Sequence, residues 1–240
     1  SSDQLASYST PVRATIDRLD RLLAWMRDRF LVVDPATGAI QADFRWRADE
    51  LFSVVAASPV VSGNEILLSE TYGPGSVLLA LTPDGLHTVR RDAPGSRPNR
   101  GLKSHWATPV LHDGHLYGSS GRNAGDALLV CADWKTGGIR WSEAGLGRSS
   151  MVWADGHLIV LGEFGDLVLV KATPDRYQEV SRTRLVAPEA GDRAAAQGKP
   201  VELLVAPCWA APVIAHGYLY VRGQGRLVCL DLLGAHPQDK

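Results

Sequence analysis

The chain has 240 residues, with 25 Lys or Arg against 26 Asp or Glu and a formal net charge of -1. That balance excludes a general electrostatic pull toward nucleic acid or an anionic membrane surface, so any partner is recognised locally. No window approaches the roughly 18 to 20 apolar residues that a membrane span needs, the N-terminus lacks the basic, apolar and small-residue regions of a secretory signal, and a soluble chain is expected.

In chain order, one phrase keeps returning. STPV (9–12), ASPV (57–60), ATPV (107–110), SSMV (149–152, without Pro) and AAPV (210–213) open five units near 9–46, 57–91, 107–141, 149–184 and 210–231. In the first unit, DRLDRLLAWMRDRF (17–30) places Leu19, Leu22, Leu23, Met26 and Phe30 at helical spacing. Taken alone this is an amphipathic helix. Its place in the repeat, between the opening phrase and FLVVDPATG, instead predicts a strand running through LLAWMRD and a second through FLVVD. In the later units the opening phrase is followed by SGN (62–64), DG (113–114), DG (155–156) or HG (216–217), and then by EILLS, HLYGS, HLIVL or YLYVR. Asp-Gly between apolar runs signals a hairpin, because both central residues of a type I′ turn need positive φ. A third strand follows in VLLAL (77–81), ALLVC (127–131), DLVLV (166–170) and RLVCL (226–230). The fourth ends in Trp, as DPATGAIQADFRW (34–46) and DWKTGGIRW (133–141). Residues 187–202 interrupt the period as an insertion, read as a flexible loop or short helix.

Each unit is thus a four-stranded antiparallel meander, which cannot bury both faces alone. Repetition around an axis solves this by packing sheet on sheet. The expected fold is all-β, one β-propeller domain or propeller portion over 1–240 with about five four-stranded blades. A solenoid is the competing arrangement, but its repeats are usually shorter and favour parallel strands.

The strand, turn, strand and D-x-x-T-G rhythm, carried by Asp34, Thr37, Gly38 and Trp46 and again by Asp133, Thr136, Gly137 and Trp141, resembles the PQQ-like (quinoprotein-type) β-propeller repeat. Phrases such as HWATPVLHDGHLYGSSGR and CWAAPVIAHGYLYVRGQGRLVCLDL are similar to those of bacterial propeller-repeat proteins of this superfamily. The resemblance covers essentially the whole chain. It implies that Trp46 and Trp141 are structural and pack between blades, where a flat ring fills the wedge that opens away from the axis. It implies a periplasmic or exported location, since relatives with this repeat are mostly exported. It also implies closure with seven or eight blades. Five units leave a portion of such a ring or a shortened one, or a ring closed by SSDQLASY as the missing outer strand; an open arc leaves edges for pairing with another chain.

The superfamily name invites a quinone. The resemblance to catalytic quinoproteins would require adjacent cysteines in a disulfide and a carboxylate, amide and carboxylate set for calcium; the sequence has no Cys-Cys pair, so PQQ and calcium are not supported and no metal site is expected. Cys131 and Cys229 share one repeat position and read as small core residues. His112, His115, His157 and His216 read as turn and surface residues. Ser149 and Ser150 lack the GxSxG elbow, and no phosphate loop is present.

Without a convergent catalytic set, recognition falls to loops on the rigid repeat. The candidates for ligand or partner binding are Glu70, Tyr72, His105, Trp106, Arg122, Arg148, Glu163, Trp209 and Arg222. They lie in or at loops after the second strand, in SETYGPG, SSGRNAGD, LGEFGD and YLYVRGQG, or just ahead of the innermost strand, in KSHWATPV, GRSSMV and CWAAPV. The leading expectation is a non-catalytic scaffold that binds a protein or extended ligand through channel-mouth loops, with the role that the resemblance implies for the scaffold propeller of outer-membrane β-barrel assembly. The rival from another class is a PQQ- or metal-dependent sugar or alcohol oxidoreductase of the bacterial envelope.

Overall fold

The computed structural model describes residues 5–48, 52–92, 101–187 and 201–234. Among them there are nineteen strands in five antiparallel sheets, and no helix. Blade 1 is β1 (Val12–Ile16), β2 (Leu19–Trp25), β3 (Arg29–Val33) and β4 (Ile40–Arg45). Blade 2 is β5 (Val60–Ser62), β6 (Glu65–Glu70), β7 (Gly75–Thr82) and β8 (Gly85–Arg91). Blade 3 is β9 (Val110–His112), β10 (His115–Ser120), β11 (Leu128–Asp133) and β12 (Ile139–Glu143). Blade 4 is β13 (Ser150–Ala154), β14 (His157–Leu161), β15 (Asp166–Lys171) and β16 (Glu179–Arg184), and blade 5 has three strands, β17 (Val213–Ala215), β18 (Tyr218–Gly223) and β19 (Arg226–Asp231). Every sheet runs in chain order, as a meander must.

Local chemistry sets these boundaries. Pro11, Pro59, Pro109 and Pro212 each stand immediately before a first strand, where the missing N–H ends the ladder. In blade 4 Met151 stands at the Pro position, and the ladder continues to Ser150, which pairs with Leu161. The first hairpins of blades 3, 4 and 5 turn through Asp113, Asp155 and His216, with φ of 45°, 45° and 52°, each followed by a glycine of positive φ. These are the expected type I′ turns. The helical reading of 17–30 fails in favour of the strands: Asp17 and Arg18 form a turn of positive φ, and Leu22 and Leu23 point to opposite faces of β2.

Blade packs on blade through four apolar clusters in sequence. Leu23, Trp25, Phe30 and Val32 meet Ile66, Leu68, Val77 and Leu79 between blades 1 and 2. Leu67 and Leu78 meet Leu116, Val130 and Trp134 between blades 2 and 3. Tyr117, Leu129, Cys131 and Trp141 meet Met151, Leu158, Val160, Val168 and Val170 between blades 3 and 4. Leu161 meets Leu219 and Val221 between blades 4 and 5, with Leu204 and Cys208 of the connecting segment.

The two end faces differ. The face of blade 1 turned away from blade 2 carries the exposed ion pairs Arg13–Asp20 and Arg29–Asp43. The outward face of blade 5 carries Val213, Tyr220, Leu227 and Cys229 at the register positions that Val110, Tyr117, Leu129 and Cys131 hold in blade 3. Leu227 is 63 % exposed, whereas Leu129 is wholly buried against blade 4. Cys229 is therefore exposed rather than a core residue, because among the described residues no sixth blade covers it.

Residues 5–8 do not supply a fourth strand to blade 5. Arg27 donates its backbone N–H to Leu5, Ser7 donates its hydroxyl to Trp25, and Tyr8 donates its N–H to Val55, all in blade 1 or its connector. Residues 188–200 of the insertion lie outside the described residues, and its feet are joined by an antiparallel bridge between Val186 and Glu202.

Candidate functional site on the blade rim

A meander sends its first turn to one end of the blade. Its second loop, and the segment that leads into the next blade, go to the other. The rim therefore gathers 70–74, 120–127 and 162–165 with 101–109, 143–149 and 203–212, which are distant in sequence.

Seven of the nine candidate residues meet there in one chain of contacts. The Tyr72 hydroxyl shares a hydrogen bond of 2.8 Å with Nε2 of His105. The His105 and Trp106 rings have centroids 4.6 Å apart, and those of Trp106 and Trp209 are 4.9 Å apart. Trp106 and Trp209 each lie four residues before the first strand of their blade, so the repeat itself brings them together. Two guanidinium groups cover the aromatic row: Arg122 lies 4.5 Å from the Tyr72 centroid, and Arg148 lies 4.6 Å from Trp106 and 5.3 Å from Trp209. Contacts of this kind favour a cation over the negative ring face.

Glu163 fixes the cationic end. Its Oε2 accepts from the Arg148 backbone N–H and Nε, both at 3.0 Å. Its Oε1 accepts from Arg148 Nη2 and, at 3.0 Å, from Trp209 Nε1. Burial alone would push the Glu163 carboxyl up, but the hydrogen bonds from the Arg148 side chain and backbone and from Trp209 outweigh it and hold the group down at about 2. At neutral pH it is a carboxylate. His105 moves the other way for a base: burial, then the charges of Arg148 and Arg122, lower it to about 4, so it is neutral. The rim thus carries an aromatic row under guanidinium groups rather than a proton-transfer pair, with Tyr72 buried at one end and Trp209 exposed at the other. The Trp106 indole N–H, itself buried, has no hydrogen-bond partner among the described residues.

Two candidates stand apart. Glu70, at the end of β6, is 1 % exposed and is built into the interior instead of being offered on the rim. Arg222 is exposed on β18 and is not joined to the aromatic row by the described contacts. Sequence reasoning passed over Phe164, which follows Glu163 in the same loop and is 46 % exposed. A large apolar side chain at a glycine-flanked loop tip was the available signal.

Trp46 and Trp141 both pack between blades, but not at the same position. Trp141 pairs with Cys131 on β11 at the bulge, reaches Tyr117 and Tyr177, and donates its Nε1–H to the Thr173 carbonyl of the next blade at 2.8 Å. In blade 1 the pairing partner of Val32 at the same bulge is Ala42. Trp46 lies four residues further on, past the end of β4, where it packs with Trp25 and Val55 and beneath Arg91.

Cys131, Cys208 and Cys229 are free thiols, both Glu163 oxygens are held by Arg148 and Trp209, and among the described residues no three His, Cys, Asp or Glu side chains gather as metal ligands.

No curated protein matched the chain. Among solved structures, BamB from Moraxella catarrhalis is similar with a TM-score of 0.58 and 15% identity, over 93% of this chain and 62% of that one. A europium-containing methanol dehydrogenase is similar with a TM-score of 0.55 and 12% identity, over 87% of this chain and 52% of that one. At such identity the likeness is one of fold. The chain spans less than two thirds of either structure's length. A family model described as outer membrane protein assembly factor BamB matches residues 12–182, more than half of the chain, and the chain belongs to this family of PQQ-like propeller-repeat proteins.

Proposed function

We propose that the chain is a non-catalytic propeller scaffold of the bacterial envelope that binds a partner polypeptide through its rim. The observation that carries this reading is the continuous row Tyr72, His105, Trp106 and Trp209 with Arg122 and Arg148 upon it. Tryptophan, tyrosine and arginine dominate binding energy at protein interfaces, because each couples a large apolar contact to a polar handle. The row is held from beneath by Glu163, so little ordering is required on binding. The family described as an assembly factor supports the same reading.

The test captures partners from an envelope extract on the immobilised wild-type chain and on a Trp106→Ala, Trp209→Ala double variant. A partner retained by the wild type and lost from the folded variant supports the rim. Equal retention by both contradicts it. In parallel, PQQ and calcium are titrated into the chain, read by absorbance and melting temperature; saturable binding with dye-linked turnover of an alcohol or sugar would replace the scaffold reading with the oxidoreductase one.

A further inference from the structure

The wedge between blades 3 and 4 is filled by Trp141, and the wedge between blades 1 and 2, at the same register position, is not. The segments align without a gap: Asp34, Thr37, Gly38, Ile40 and Ala42 match Asp133, Thr136, Gly137, Ile139 and Trp141. The wedge between blades 2 and 3 carries Arg90 at this position, and the one between blades 4 and 5 carries Ser181. Arg90 fills its wedge by donating Nε–H to the Trp134 carbonyl at 3.2 Å, and Ser181 lies on β16, which is exposed throughout.

Where Ala42 leaves space, there is a groove of about 230 Å³ between the blades, walled by Leu19, Ala42, Leu81 and Pro83 and rimmed by Arg21 and Gln41. Its far wall repeats the acceptor end of the Trp141 slot. Leu81 and Ala172 each donate their N–H to the second residue of their blade's first turn, so Thr82 and Pro83 stand where Thr173 and Pro174 stand. In blade 4 the longer loop brings Tyr177 over the indole; in blade 2 the strands turn directly at Thr82–Gly85, and the groove stays open on that side.

We propose that this groove binds the indole side chain of a tryptophan presented by a partner polypeptide, seated as Trp141 is seated between blades 3 and 4. The walls supply the apolar slot that a flat ring needs. The rim favours a polypeptide over a free aromatic molecule. Arg21 and the exposed Gln41 line its edge; a peptide's carbonyl and N–H groups can pair with the two side chains, whereas free indole has a single polar atom.

The experiment titrates N-acetyl-fluorotryptophanamide and, separately, fluoroindole into the chain, followed by fluorine NMR, on wild type, Ala42→Trp and Leu19→Asp. The tryptophanamide is expected to bind the wild type saturably. Ala42→Trp fills the slot from within, so it should melt at or above the wild-type temperature and abolish binding. Leu19→Asp, at a half-exposed wall position, should keep the fold and weaken binding about ten-fold or more. No saturable binding of the tryptophanamide, undiminished binding to folded Ala42→Trp, or undiminished binding to Leu19→Asp overturns the assignment. Binding of fluoroindole without the tryptophanamide overturns it as well, since the partner would then not be a polypeptide.

Discussion

Replacing Glu163 by Gln removes the charge that organises the rim while changing almost no volume. The carboxyl sits near 2 in the folded chain against 4.5 for an ordinary glutamate. At about 1.4 kcal/mol per unit this difference is worth on the order of 3 kcal/mol of folding stability. Both partners are well shielded, with side-chain exposures of 4% for Glu163 and 20% for Arg148, so solvent screening discounts the figure little. The sign follows from linkage. A depressed folded pKa gives stability that is fully present above about 4.5 and is lost as the pH falls through about 2. Urea unfolding of wild type and Glu163→Gln across pH 7 to pH 3 measures the difference, with other carboxylates cancelling. The gap should be about 3 kcal/mol at neutral pH and roughly half of that at pH 3. A gap that does not change with pH would refute the ion pair as its source.

Trp141→Ala empties a wedge lined by Tyr117, Met151 and Leu158 and should cost about 3 to 5 kcal/mol, seen as a fall in melting temperature of about 10 °C. Gly137→Ala places a Cβ 2.5 Å from Arg90 Nη1 at a φ of 72°, and calorimetry should show a loss of at least about 1 kcal/mol. Thiol titration of the native chain should find one fast-reacting cysteine, Cys229, with Cys131 and Cys208 reacting only after denaturation; burial pushes the Cys131 thiol up to about 11.

The fold was legible because each blade repeats its own punctuation. Pro stands before the first strand in blades 1, 2, 3 and 5, and Asp-Gly follows that strand in blades 3 and 4, while the place of 17–30 between the opening phrase and FLVVDPATG overrides its helical spacing. That spacing is itself explained by burial on two faces: Leu23 is wholly buried against blade 2 while Leu22 lies on the opposite face, partly covered. What escaped the sequence was register. Trp46 ends its phrase as Trp141 does, yet only strand pairing reveals that Ala42 holds the matching place. Cys229 shares the motif of Cys131, but its burial depends on a neighbouring blade and not on its own unit. The rim residues were legible as loop positions on successive blades. Their union was not, because Tyr72, His105, Trp106, Arg148, Glu163 and Trp209 meet only through the angular spacing of the blades. Glu70, chosen by the same loop reasoning, falls inward at the end of β6, a matter of where the strand stops.

The most direct measurement is a footprint of the captured partner on the chain by amide hydrogen exchange. The account predicts slowed exchange at 70–73, 104–106, 146–149 and 162–165 and at 208–210, all on the rim that carries the aromatic row. Protection confined to the opposite end, at the hairpin turns 17–18, 63–64, 113–114, 155–156 and 216–217, would contradict it.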